Sequence, residues 1–368
     1  MTKNILGLYE SDITAALQLL GRESDSFEQY AEEFSRATWS GISEPGDRVA
    51  GMLLRHLGAY RALDLLVTKT PASVIVQELL SCVPDGDLDQ DELTRDIRDA
   101  LERWRPRVKS MDALISLKHA AGIGARLLIP TDTYWPTGLG DLADHAPLAL
   151  WARGEQSRLM DLDYSMSIVG ARASTGYGEH VTMEAVTGLV EKEIAIVSGA
   201  AYGIDGMAHR SALAAGGMTM AFLAGGVDRF YPSGHDALLM RIVDRGVVLS
   251  EVPCGFAPTK WRFLQRNRLI AAASQATVVM EAGWRSGSIN TANHAVSLVR
   301  PLGVVPGPVT SASSAGCHRL LRESTAICVT SVEEMVELMP ERPEGTPRGR
   351  RTRRGSGNLE KLPSNGRG

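Results

Sequence analysis

Between residues 166 and 330 the chain repeats one local pattern: a short apolar run without polar alternation, closed by a turn of small residues. The runs are MSIVG (166–170), IAIVSG (194–199), MTMAFLAG (218–225), VVLSE (247–251), ATVVMEA (276–282), LGVVPG (302–307) and AICVT (326–330). A strand with one wet face alternates apolar and polar residues, so a strand that does not alternate is covered on both faces. Helix-like stretches lie between the runs, among them Gly178–Glu191, Ile204–Ala215 and Asn290–Val299. In the second, Ile204, Met207, Ala208, Ser211, Ala212 and Ala215 make a face of mostly small residues suited to lying close on a sheet. Strands each followed by a helix predict an α/β fold: a doubly wound, mostly parallel sheet with helices on both faces. Such sheets place ligands outside the carboxyl ends of their strands, so the chemistry is to be sought in the turns that close the runs.

The flanking segments read differently. Residues 1–124 are helical in pattern: DRVAGMLLRHLGAYRALDLLV (47–67) carries Val49, Met52, Leu53, Leu57, Leu63 and Leu66 at helical spacing, and ELTRDIRDALERWRPRV (92–108) continues the theme. The acidic PDGDLDQD (84–91) lacks the full ligand pattern of a calcium loop and reads as a solvated linker. Gly122-Ile123-Gly124 would suit the hairpin of a DNA-binding helix-hairpin-helix, but ARLLIP (125–130) behind it reads as a strand. The predicted division is a helical domain (1–124), the α/β domain (125–338) and a tail (339–368) too rich in Pro, Gly, Ser and Arg to fold.

Charge and cysteine usage narrow the function classes. The net charge is −4, and only the tail has more Lys and Arg than Asp and Glu. An anion site in the body is therefore a local pocket and not a global field. Cys82, Cys254, Cys317 and Cys328 are scattered, with no C-x-x-C pair. That argues against a zinc ribbon or a disulfide framework and fits a reducing cytoplasm. No apolar stretch reaches the roughly 18 residues of a membrane span, and MTKNILGLYESDI meets charge too early for a secretory signal. The expectation is a cytoplasmic protein without membrane attachment.

Three turns have the makings of anion sites: Gly170-Ala171-Arg172-Ala173-Ser174-Thr175-Gly176-Tyr177-Gly178, Ser198-Gly199-Ala200-Ala201-Tyr202-Gly203 and Arg285-Ser286-Gly287-Ser288. Glycine lets backbone amides approach closely, hydroxyls donate, and a following helix adds partial positive charge. None is G-x-G-x-x-G or a P-loop, so the dinucleotide and nucleoside-triphosphate signatures are missing. Glycines at these places also suit plain tight turns. Lys260-Trp261-Arg262-Phe263-Leu264-Gln265-Arg266-Asn267-Arg268 interleaves four cations with two aromatics, as a backbone-and-stacking site for single strands would. The same spacing suits a helix start with core aromatics and carboxylate-paired arginines. Asp205/His209 and His180/Glu184 are i, i+4 pairs that fit acid–base chemistry or ordinary pairing equally. Glu251 and Glu281 end strands and are candidates for a ribose or a metal, but no ligand spacing accompanies them, nor any G-x-S-x-G elbow.

Taken together and in order, IVGARASTGYG, IVSGAAYGIDGMAH, LAGGVDRFYP, LSEVPCGFAPTKWRFLQRNRLIAAAS, VVMEAGWRSGSINTA, VVPGP and GCHRLLRE resemble the successive blocks of the DprA/Smf (DNA processing protein A) family, over roughly residues 125–335. The resemblance implies a Rossmann-like, cofactor-free, non-enzymatic domain. It also implies a homodimer that binds and protects single-stranded DNA and helps load a RecA-type recombinase in natural transformation. It implies that Arg172 contacts phosphate, that Ser174, Ser198 and Gly199 line the same pocket, that Lys260 binds the strand, and that Phe263 packs on a base. Arg266, Asn267 and Arg268 fall on the family's R-N-R, and Ser286, Gly287 and Ser288 on its R-S-G-S turn. Departures are Ser233-Gly234-His235 after Tyr231-Pro232, where an asparagine is usual, Gly316-Cys317-His318 for G-x-N, and Tyr202 for a residue often basic. The tail is too short for the winged helix that closes many members. Two other readings compete: an enzyme like the nucleoside-monophosphate phosphoribohydrolases, of whose P-G-G-x-G-T turn RSGSINTA is a distant analogue, and a sensor of small nucleotides.

Overall fold

The structure is a computed structural model that describes residues 4–83 and 89–342. The acidic segment at 84–88 and the basic tail beyond 342 lie outside the described residues. A two-residue pair, β1 (Asn4–Ile5) and β2 (Leu8–Tyr9), leads into α1 (Glu10–Gln18), α2 (Phe27–Ile42), α3 (Arg48–Leu57), α4 (Ala59–Val67), α5 (Ala72–Cys82), α6 (Gln90–Trp104) and α7 (Ser110–Gly122). The helical spacing over 47–67 resolves into two helices and not one. Gly58, at φ +81°, breaks it in a conformation that costs other residues more. The Glu32 carboxylate then accepts the free amides of Ala59 and Tyr60 at 3.0 and 2.9 Å, which fixes the start of α4.

All the apolar runs are strands of one nine-stranded sheet: β5 (Ser165–Gly170), β6 (Ala195–Ser198), β7 (Thr219–Leu223), β8 (Val247–Ser250), β9 (Ala276–Glu281), β10 (Leu302–Val304) and β11 (Ile327–Cys328). Neighbours within this set are parallel. ARLLIP supplies β3 (Ala125–Leu128), and β4 (Leu150–Gly154) joins it to β8 by antiparallel pairing. The fold is therefore Rossmann-like, a mostly parallel sheet preceded by a helical region. Alternate side chains of the inner strands enter different cores, whereas both residues of the edge strand β11 are exposed, against the expectation for AICVT. Met166, Ile168 and Ile196 pack under α8 (Gly176–Glu191) and α9 (Ile204–Ala214). Val169, Val197 and Phe222 pack under α11 (Lys260–Ala273) and α12 (Ser288–Ser297), with α13 (Ala315–Glu323) beside them. Burial on both faces is why the strands show no polar alternation. A third cluster runs unbroken from the N-terminal helices through Leu127, Trp151 and Val248 to Leu239 and Ile242 of α10 (Asp236–Arg245). The last helix, α14 (Val332–Val336), closes the described chain.

The strand order is β11-β10-β9-β5-β6-β7-β8-β4-β3. From β5 the chain winds outward through β6, β7 and β8. It then crosses back to β9 and winds the other way through β10 and β11. The order reverses between β5 and β9, and the crevice at their carboxyl ends is where this fold binds ligands.

Candidate nucleic-acid interface

At the crevice itself stands a buried carboxylate. Glu281 ends β9 and accepts the amide and the hydroxyl of Thr175 at 2.8 and 2.6 Å. Thr175 is the N-cap of α8 and also receives the Gly178 amide at 3.2 Å. A Cβ on Gly178 would collide with the same carboxylate. The N-terminus of α8, the usual anion seat of the fold, is thus filled by the chain's own charge. Glu251, just past β8, is engaged as well: Arg268 donates to it twice at 2.7 and 2.8 Å, and the Gly46 amide once at 3.3 Å. Neither glutamate presents a free carboxylate to a ribose.

The exposed chemistry lies on the rim above. Phe263, one turn into α11, is half-buried, and two loops converge on its ring. The Arg172 guanidinium from the β5 turn lies 5.0 Å from the ring centroid. Tyr231 from the β7 loop stands 5.4 Å away, tilted by 57°. Arg266 lies beneath at 5.8 Å. Arg172 is exposed and carries no ion pair among the described residues. Lys260, exposed, precedes Phe263 by one turn of α11, whose start is capped by Thr259 accepting the Arg262 amide.

A buried polar layer holds this rim in place. Arg266 donates to the carbonyls of Gly199, at 2.7 Å, and of Phe222. A Cβ on Gly199 would come within 2.5 Å of the guanidinium, so the glycine is what admits it. Asp205, in the first turn of α9, receives the amides of Ala201, Gly170 and Gly199. Burial raises its pKa, while Arg266 and those amides oppose the rise. Burial also lowers Arg266 to about 10, with Asp205 opposing and Arg172 assisting. The two charges lie behind the ends of β5, β6 and β7 and fix their loops relative to α11.

The remaining predicted residues fall into two groups. Ser286, Gly287 and Ser288 form a turn tied to α11, because the Asn267 amide donates to the Gly287 carbonyl at 3.4 Å and to Asn290 at 3.1 Å. The Ser286 and Ser288 hydroxyls face each other at 2.8 Å. Others point away from the rim. The Ser198 hydroxyl donates down into the sheet, to Ile168, at 2.6 Å. Ser174 donates to Glu179. Arg268 is 2% exposed and donates to Glu251 and to the carbonyls of His145 and Gln265. Arg262, from the same basic segment, is held by Glu44 at 3.0 and 3.2 Å. Asp205 and His209 have separate partners, since His209 faces the Thr219 hydroxyl, and His180 meets Glu184 at 3.4 Å on an exposed helix face. Among the described residues no cluster of His, Cys, Asp and Glu is placed to hold a metal, and no helix is long and apolar enough to cross a membrane. The sequence reading gave no role to Tyr231 or Tyr202, exposed aromatics on the β7 and β6 loops. The signal for both was an aromatic inside a Gly-rich strand-end turn, where no core can take it.

Known proteins share this fold. Residues 126–340 match the family model of DNA recombination-mediator protein A. A putative DNA processing protein DprA of Mycobacterium tuberculosis is 50% identical over 227 residues, covering 59% of this chain and 58% of the relative. Protein Smf of Escherichia coli is 35% identical over 228 residues, 60% of each chain. The chain thus spans under two-thirds of these relatives. Among solved structures, DprA from Streptococcus pneumoniae superposes with a TM-score of 0.64 at 27% identity, over 85% of this chain and 99% of that one. DNA processing protein A from Helicobacter pylori, described for its single-stranded DNA binding mode, gives 0.52 at 28% identity, over 58% and 94%. With the family model matched across the whole sheet and the rim at its carboxyl edge, this chain belongs to the DNA recombination-mediator protein A family, the DprA/Smf proteins.

Proposed function

We propose that the protein binds single-stranded DNA across the carboxyl rim of its sheet and passes it, as a homodimer, to a RecA-type recombinase, with no substrate turned over and no cofactor used. The observation that carries this reading is the convergence of Arg172, Phe263 and Tyr231, from two loops and a helix, onto one surface. Arg172 and Lys260 neutralise phosphates, and Phe263 stacks on a base, which requires that the base be unpaired. The Ser286–Ser288 turn borders the path, and the buried Ser198-Gly199 turn supports it from below. Arg266 and Arg268 act from beneath, as supports. The dimer forms through the later elements of the sheet, about residues 270–335, on a symmetric surface. A mononucleotide enzyme or sensor of this fold would seat a phosphate at the N-terminus of α8, and Glu281 holds that place. This favours a polymer running over the rim.

Mobility shifts with single- and double-stranded oligonucleotides test the proposal. Stacking on an aromatic contributes about 1–3 kcal/mol per base, so Phe263→Ala should weaken single-strand binding roughly five- to a hundredfold. Lys260→Ala should reduce the magnitude of the log–log salt slope by about 0.7, one phosphate contact on a single strand. Wild-type binding by both variants would remove the rim from consideration.

A further inference from the structure

We propose that Trp284 is a second base-stacking platform for the same strand, on the opposite side of Arg172 from Phe263. This rests on the reading of the rim as a single-strand site. Trp284 lies just beyond β9 and is 55% exposed, although large aromatics are normally buried. It is nevertheless held. The Arg319 guanidinium lies over its ring at 4.8 Å. Arg319 is carried by α13, whose first turn is docked on the Trp284 loop: the Gly316 amide donates to Ala282 at 2.7 Å, and a Cβ on Gly316 would strike the Ala282 and Gly283 carbonyls. A fixed indole beside a cation is the combination that holds single strands without regard to sequence, the ring for a base and the cation for its phosphate.

A second observation lies at the start of the same helix. The Ser314 side chain, 1% exposed, has a hydroxyl without a hydrogen-bond partner among the described residues, set against Gly307. The Tyr177 ring, part exposed, meets the position of a Cβ on that glycine at 3.7 Å. A buried polar group without a partner is costly, and here it stands at the N-terminal end of α13, where an anion is favoured.

The occupant is the strand already on Phe263. Trp284 comes two residues before the Ser286–Ser288 turn, which Asn267 ties to the helix that carries Phe263. Phe263 sits by the ends of β5 to β7, and Trp284 by the ends of β9 and β10. At about 4.8 Å per strand the platforms are roughly 10–15 Å apart. A short oligonucleotide reaches one platform and a longer one reaches both.

The test uses the full chain with oligothymidylates graded from about 4 to about 16 nucleotides, the range of single-strand site sizes. Trp284→Ala should weaken binding of the long oligonucleotides roughly five- to a hundredfold and leave the shortest unchanged. Trp284→Phe should keep most of the affinity while losing part of the tryptophan quenching that accompanies binding. Phe263→Ala, measured alongside, should weaken every length. Loss with Phe263→Ala but none with Trp284→Ala overturns this proposal alone; no loss with either overturns the reading beneath it. A Trp284→Ala chain whose weaker binding follows a changed sedimentation coefficient also overturns it, and assigns the indole to a protein contact.

Discussion

His209 lies fully buried behind the rim, with Nδ1 2.7 Å from the Thr219 hydroxyl and Nε2 without a partner among the described residues. Burial, and then the charges of His235, Arg266 and Arg210, lower its pKa to about 3. The unfolded chain takes up this proton near pH 6.5, well before the folded one, so the residue's contribution to stability is complete above about 6.5 and is lost as pH falls toward 3. The slope for one such proton is about 1.4 kcal/mol per pH unit. Urea unfolding at pH 7 and pH 5 should show that loss in the wild type and a smaller one in His209→Gln; parallel losses would mean that the imidazole already carries its proton in the fold. The basic segment shows what spacing alone could tell. The interleaving of cations with aromatics was legible, and it left a stacking site and a helix start with paired arginines equally open. Which cations face solvent was not, because the partners that bury Arg262, Arg266 and Arg268 are Glu44, Gly199, Phe222, His145 and Glu251, all remote in sequence.

At the scale of elements, the strands were legible because burial on both faces strips them of polar residues, as Ile168 and Val169 entering opposite cores illustrates. β4 was not singled out: LWARG keeps an arginine in mid-strand, and its place follows from antiparallel pairing with β8 across about a hundred residues. The most consequential link between elements is Glu44, between α2 and α3. It pairs with Arg107 at 3.0 Å and with Arg262 in the first turn of α11. The N-terminal helices thereby hold the start of the helix that presents Lys260 and Phe263. Glu44→Ala should lower stability by about 1 kcal/mol, as for partly exposed pairs. Single-strand affinity should fall no more than a few-fold, because Arg266 and the Thr259 cap still position Phe263. Urea midpoints and titrations on one preparation measure both. A loss of binding as large as that of Phe263→Ala would make the helical region a working part of the site.

For the molecule as a whole, charge is divided between an acidic body and the basic end of the chain. Arg342 belongs to the body: it pairs with Glu193 at 2.7 Å and lies 5.0 Å over the Tyr164 ring. Beyond it Arg348, Arg350, Arg351, Arg353, Arg354, Lys361 and Arg367 lie outside the described residues. A polycation of this kind adds salt-sensitive affinity for any nucleic acid, paired or not, whereas stacking favours single strands. Truncation after Arg342 should weaken duplex binding more than single-strand binding and flatten the salt dependence. Sedimentation at tens of micromolar should give a two-chain particle with or without the tail. Equal losses on both substrates would place the tail within the specific site. The position of Glu281 bears on how the strand would leave. A crevice stopped by its own carboxylate would leave a bound strand outside it, with nothing among the described residues to shut around it. DNA resting on an open ledge can be peeled away sideways, one nucleotide after another, by a second protein gripping the free stretch, with no gate to open and no end to thread.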